Sequence, residues 1–296
     1  MDSLRFMYVG VPLLVQATIK LHETLRKVHL KKARRPPADA TGNPPAPRAV
    51  YSPTAMTENN PIIRIENVHK SYLMGKEAIP ALRGVSLMVN RGEMACLMGP
   101  SGSGKTTLLN ILGGLDEPGR GHVAIDGADV VAMSEEGLAR LRLGLIGFVF
   151  QTFNLLQTFT AFENVEAPQI LLGGRSKAER RAKTEALLDA VGLGDRMDHY
   201  PSELSGGQQQ RVAIARAMAN DPAIIIGDEM TGDLDSKTGF EIMEVVQRLN
   251  RAQGTTIVYV THDSRMAEFA DYTVELLDGV IVKDRPAPVA RLASAL

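Results

Sequence analysis

Two regimes of hydrophobic patterning run along this chain. Residues 62–89 alternate apolar and polar side chains between turn signals, which predicts an antiparallel sheet with one packed face. Further on the alternation gives way to short continuous apolar runs: Ala95-Cys96-Leu97-Met98, Ile146 to Phe150, Ala223 to Ile226 and Ile257 to Val260. Each run is bounded by polar or turn-forming residues, so each reads as a strand buried in the interior of a sheet, with parallel pairing expected. Helical spacing appears between them. Thr107 to Leu112 follows the first run, and Val212 to Met218 follows Ser205-Gly206-Gly207, whose serine suits a helix N-cap. Residues 177–191 carry Ala178, Ala182, Ala186, Leu187 and Val191 close to a helical stripe, with Ser176 as N-cap and Gly192 near the end. Phe153, Leu155, Leu156, Phe159 and Phe162 precede that helix and read as core.

Residues 1–60 follow neither regime. A short apolar stretch at 4–15 leads into a basic one at 20–35, where Lys27, Lys31, Lys32, Arg34 and Arg35 cluster, and 36–53 is rich in proline and alanine. That last segment reads as a disordered linker. The charges follow the apolar stretch, whereas a signal peptide places them before it. Two readings stand: residues 1–35 form an interfacial helix on an anionic membrane, or translation starts at Met56. Composition narrows the rest. One cysteine in 296 residues leaves no internal disulfide, and Cys96 reads as a small core hydrophobe. A net charge of −1 gives no general attraction to nucleic acid. No run reaches the length of a membrane span, and no His/Cys spacing suits a metal cage.

The chemistry is concentrated where the apolar runs end. Gly99-Pro100-Ser101-Gly102-Ser103-Gly104-Lys105-Thr106 matches a P-loop at every fixed position, between an apolar run and a helix beginning with Thr107. Glycines let backbone N–H groups turn inward around phosphate, the helix start adds its dipole, Lys105 reaches the β- and γ-phosphates, and the Thr106 hydroxyl ligates Mg²⁺. Asp228 and Glu229 close another run, at the sheet edge where open α/β folds bind ligands. Asp228 is placed to hold Mg²⁺ through water and Glu229 to polarise the attacking water. The helix start at Ser205 is a second anion site, and one γ-phosphate cannot occupy two helix starts of a compact subunit, so a head-to-tail dimer sharing two ATP molecules is expected. The guanine-selecting Asn-Lys-x-Asp pattern is missing, which favours ATP.

These motifs resemble the ATP-binding cassette (ABC) ATPases over residues 62–284. The resemblance implies a P-loop NTPase with a mainly parallel central sheet, an N-terminal antiparallel β-subdomain, and an inserted α-helical subdomain at about 152–210 within an ATPase domain at 61–285, followed by a tail at 286–296. By the same resemblance Tyr72 stacks on adenine, Gln151 senses Mg²⁺ and the membrane partner, and Asp235 is the D-loop aspartate. His262 contacts the γ-phosphate. Ser205, Gly206, Gly207 and Gln208 form the signature that acts on the nucleotide of the opposite subunit. Phe153-Asn154-Leu155-Leu156, Ala161-Phe162-Glu163-Asn164-Val165 and the triple glutamine at 208–210 look like the lipoprotein-release and macrolide-export subfamily. An ATPase homodimer on the cytoplasmic face of the inner membrane is implied, driving polytopic membrane subunits and, through them, a periplasmic adaptor. A soluble non-transport ATPase and a low-turnover regulatory module are the alternatives. Two residues depart from the family pattern. Met230 stands where proline follows the catalytic base, and Asp233 stands where the subfamily has asparagine. An active but slow enzyme is expected, since neither change removes a catalytic group.

Overall fold

A computed structural model describes residues 61–75 and 77–286, so the expectations for residues 1–60 and for the tail past residue 286 lie outside the described residues. Strands β1 (Pro61–Met74) and β2 (Glu77–Asn90) pair antiparallel, as the alternation predicts, and β4 (Arg120–Ile125) and β5 (Ala128–Asp129) complete a four-stranded sheet in the order β2-β1-β4-β5. The alternation in β2 slips once. Leu82 is buried, then Val85, Leu87 and Val89, because the pairing passes from His69–Arg83 to Val68–Val85 and leaves Gly84 bulged at φ +83°.

The apolar runs build a second sheet of six strands: β3 (Met94–Met98), β6 (Ile146–Phe150), β7 (Ile224–Asp228), β8 (Thr256–Val260), β9 (Tyr272–Leu277) and β10 (Val280–Pro286). Their order is β10-β9-β3-β8-β7-β6, with all pairings parallel except β10 on β9. The chain runs from β3 to the far edge at β6, works inward through β7 and β8, then crosses β3 to reach β9. The winding therefore reverses beside β3, and such reversals open a crevice at the C-terminal strand ends.

Alternation along these strands feeds two separate cores. Ala95, Leu97, Ile224, Ile226, Val258 and Val260 face one core together with helix α1 (Lys105–Leu112) and the buried side of the four-stranded sheet. Met94, Cys96, Ile225, Ile257 and Tyr259 face the other, which takes in α5 (Gly206–Met218) and α6 (Ser236–Gln253). Because successive residues of a strand point to opposite faces, α1 and α5 lie on opposite sides of the central sheet. The remaining helices are α2 (Glu135–Leu145), α3 (Ala161–Leu172), α4 (Lys177–Ala190) and the single turn α7 (Ser264–Ala267).

Helix α4 starts at its expected cap: the Ser176 hydroxyl accepts from Glu179 N–H while the Glu179 carboxylate accepts from Ser176 N–H. Its buried face agrees with the expected stripe at Leu187 and Val191 and departs from it at the alanines. Ala178, Ala182 and Ala186 are exposed, and Thr184 and Leu188 are buried in their place. Thr184 is polar, but its hydroxyl is satisfied by Gln169 Nε2 of α3 at 2.8 Å, and Leu188 contributes far more apolar area than an alanine. Of the aromatic and aliphatic group ahead of α4, only Leu155 is buried; Phe153, Leu156, Phe159 and Phe162, the last within α3, are half-buried.

Candidate nucleotide site

Register brings the chemistry to one edge. Phe150 pairs with Asp228 and Asp228 with Val260, while Leu97 also pairs with Val260. The next residues along these four parallel strands are Gln151, Glu229, Thr261-His262 and the P-loop, so they emerge together at the C-terminal end of the sheet.

The P-loop is shaped by what surrounds its glycines. Gly99 (φ +143°) and Gly104 (φ +100°) lie so close to backbone that an added Cβ would sit 2.1 Å from Leu276 O and 2.5 Å from Ala81 O. Gly102 (φ +80°) needs glycine for its backbone angle, since no atom of the described residues lies within 4 Å of a Cβ added there. Lys105 is buried and its ammonium donates to Gly99 O at 2.8 Å and Pro100 O at 2.7 Å, closing the loop on itself. Burial lowers its pKa, and the negative charges of Glu229 and Asp228 work against that shift.

Two observations show that the loop suits phosphate. Helix α1 begins at Gly104 with no side-chain cap and no acidic residue in its first turn. By contrast α2, α3, α4, α5 and α6 are each capped by a side chain, from Ser134, Thr160, Ser176, Ser205 and Asp235. The first N–H groups of α1 are thus left to an external acceptor. In the same loop the buried Ser103 hydroxyl has no hydrogen-bond partner among the described residues. Thr106 is exposed at this helix start beside half-buried Thr107, and Ser101 and Gly102 are exposed on the loop. For a divalent cation, Thr106, Gln151 and Asp228 offer a hydroxyl, an amide oxygen and a carboxylate. That sparse set suits Mg²⁺, which takes its other ligands from phosphate and water.

The carboxylates are held by the turn after β7. Glu229 adopts φ +44°, its N–H donates to Val260 O at 3.2 Å, and its carbonyl accepts from Gly232 N–H at 2.9 Å. Glu229 Oε2 lies 3.2 Å from His262 Nδ1, and the His262 side chain is 69% exposed, open to a ligand. Asp228 has its carboxyl pKa raised, chiefly by burial and then by Glu229, with Lys105 offsetting part of it. Gln151 Nε2 donates to Asp233 Oδ1 at 2.7 Å, a pairing that the sequence reading missed. Met230, in the position of the missing proline, is buried: its thioether fills the space over Gly227, and its carbonyl accepts from Gln210 Nε2 at 2.5 Å.

Tyr72 sits at the end of β1. Its hydroxyl donates to Asp116 Oδ2 at 2.6 Å, and Lys70 Nζ donates to Asp116 Oδ1 at 2.6 Å while lying 5.2 Å from the tyrosine ring centre. Burial and then the Asp116 bond push the Tyr72 hydroxyl up to about 12, with Thr107 at the P-loop helix acting the other way. Burial raises the Asp116 pKa, but hydrogen bonds from Lys70 and Tyr72 outweigh it and leave the carboxyl below its usual value. Lys70 and Asp116 carry no motif, so sequence offered no signal for them.

The signature residues stand on the other face of the sheet. Ser205 caps α5, its hydroxyl accepting from Gln208 N–H at 3.3 Å and Gln208 Oε1 accepting from Ser205 N–H at 2.9 Å. The hydroxyl keeps its own hydrogen to donate. Gly206 follows as the first residue of α5. Gly207 lies against Thr238, where an added Cβ would come within 2.5 Å of the threonine methyl, and Thr238 is in turn bonded to Asp235 at 2.6 Å. The signature and Asp235 therefore pack as one unit.

Comparison with known proteins agrees with this geometry. Residues 82–232 match the family described as ABC transporter. ABC transporter H family member 2 of Dictyostelium discoideum is 49% identical over 74% of this chain and 43% of its own length. The macrolide export ATP-binding/permease protein MacB of Syntrophobacter fumaroxidans is 51% identical over 74% of this chain and 31% of its own, so the chain spans less than half the length of these two relatives. An uncharacterized ABC transporter ATP-binding protein of Thermotoga maritima is 51% identical over 74% of this chain and is matched over 93% of its own length. A solved dimeric ATP-binding cassette in a post-hydrolysis state, bound to ADP and Pi, superposes with a TM-score of 0.71 at 46% identity over 76% of this chain and 99% of that one. The described fold is accordingly the α/β P-loop NTPase with an antiparallel N-terminal sheet and a mainly parallel central sheet. The chain belongs to the ABC transporter family and carries that family's ATPase domain.

Proposed function

We propose that this chain is the ATP-hydrolysing nucleotide-binding subunit of an ABC transporter, dimerising on ATP to drive polytopic membrane subunits from the cytoplasmic face of the inner membrane. The observation that carries this reading is the convergence of the P-loop, Gln151, Asp228, Glu229 and His262 at one strand edge. Lys105 and the uncapped start of α1 bind the phosphates of ATP, and Tyr72 presents an aromatic face for adenine beside Thr107. Thr106, Gln151 and Asp228 would hold Mg²⁺. When bound, the cation neutralises charge on the β- and γ-phosphates. Glu229 takes the proton of the attacking water, and His262, 3.2 Å from its carboxylate, orients it and reaches the γ-phosphate.

The opposite-face placement of α1 and α5 supports a shared site. With α5 packed on the other face of the sheet from α1, Ser205 to Gln208 are read as serving the nucleotide of a second copy, with Asp235 at the seam. Likeness to macrolide export proteins supports membership of the export and lipoprotein-release group, acting through an extracytoplasmic adaptor or by mechanical coupling across the membrane. Catalytic turnover is favoured over a low-turnover module because the turn beside Glu229 is fastened without proline, by the Gln210 bond and the buried Met230.

Phosphate release from the purified chain tests this reading. Glu229→Gln is expected to cut hydrolysis by about a hundredfold or more while ATP still binds, and Lys105→Ala to lose the binding itself. An unchanged hydrolysis rate in Glu229→Gln would remove Glu229 from the chemistry.

A further inference from the structure

We propose that Asp233 is a positioning residue for Gln151: it fixes which end of the Gln151 amide faces the catalytic edge. The proposal rests on the reading of this edge as a Mg²⁺-nucleotide site. A carboxylate at neutral pH only accepts hydrogen bonds, so the contact of 2.7 Å with Gln151 must be made by the amide NH₂. Asp233 thereby settles the orientation of Gln151: Nε2 turns to the aspartate and Oε1 turns away from it. No donor among the described residues bonds Oε1, which is left as the ligand that a hard cation prefers.

The neighbourhood makes that orientation matter. Gly232, between Glu229 and Asp233 in the same turn, has a bare α-carbon facing both groups: an added Cβ would lie 3.1 Å from Gln151 Nε2 and 3.3 Å from Glu229 Oε2. The Gln151 amide and the Glu229 carboxylate therefore share one small space, and Glu229 continues to His262 at 3.2 Å. Two side-chain pairs, Asp233 with Gln151 and Glu229 with His262, thus meet on either side of the Gly232 α-carbon, at the ends of β6, β7 and β8. An asparagine at 233 could accept from Nε2 through its oxygen or donate to Oε1 through its nitrogen, so both orientations of Gln151 would be populated. The aspartate removes that ambiguity.

Asp233 is exposed, so substitutions there leave the core intact. The test measures binding of the non-hydrolysable ATP analogue with an imido bridge between its β- and γ-phosphates, first in EDTA and then along a Mg²⁺ titration. Asp233→Leu is expected to leave the EDTA affinity unchanged and to raise the Mg²⁺ midpoint about fivefold, the loss of one net hydrogen bond. Asp233→Asn should raise it by about twofold, since half of the Gln151 amides then face the wrong way. In a Gln151→Ala background, Asp233→Leu should shift nothing further. A wild-type midpoint in Asp233→Leu overturns the proposal. So does an equal loss of affinity with and without Mg²⁺, which would make Asp233 merely structural. If the wild-type chain fails to bind the analogue under any condition, the nucleotide-site reading itself falls and the proposal with it.

Discussion

Asp228 retains a proton more tightly than an exposed aspartate because burial withholds water from its charge and Glu229 adds a second negative charge. Lys105 compensates only in part. The consequence for stability has a definite sign. A carboxyl whose folded pKa is raised binds protons more readily in the folded state, so its favourable contribution is complete below the unfolded value and is lost as the pH rises through the folded one. At neutral pH the ionised Asp228 therefore works against the fold. Asp228→Asn is expected to raise the thermal midpoint at neutral pH, with the gain shrinking as the pH is lowered towards the ordinary carboxyl value of about 4. Thermal unfolding of both proteins across that range checks it; a gain that grows on acidification contradicts the assignment. A stabilising change that costs function is what a charge kept for a cation should give.

The strand-to-turn element at β7 is the place where this chain solves a family problem in its own way. Proline would have fixed the backbone after Glu229. Met230 instead buries its side chain over Gly227, leaving so little room that a Cβ at 227 would lie 2.5 Å from its sulfur. Gly227→Ala should destabilise by about 1–3 kcal/mol through overpacking, and Met230→Ala should relieve that penalty, giving strong coupling in a urea-unfolding cycle. Additive effects would show that the two residues do not share the space. Elements of this kind mark the limit of what the sequence disclosed. The buried strands were legible because each is apolar on both faces, and the caps at Ser176 and Ser205 because serine before a helical run has few other uses there. The P-loop and the two carboxylates were legible as motifs at strand ends. The burial face of α4 was legible only at its end, at Leu187 and Val191, because exposed alanines imitate an apolar stripe and Thr184 hides behind its bond to Gln169. Nor were the partners of Tyr72 and Gln151. Asp116 and Asp233 lie 44 and 82 residues away in sequence and meet them only once the strands have paired.

At the scale of the whole molecule, the proposed function divides one active site between the two faces of the central sheet. The face that carries α1 has the P-loop and its uncapped helix start, and the face that carries α5 presents a second, capped helix start fastened to Asp235. On that proposal association is part of the chemistry. The most direct measurement is the sedimentation of Glu229→Gln with ATP and Mg²⁺, compared with the same variant in ADP. A dimer formed with ATP and absent with ADP is the expected result, and it should be abolished by adding Lys105→Ala. A species that remains monomeric at saturating ATP, while the chain binds that ATP, would contradict the shared site.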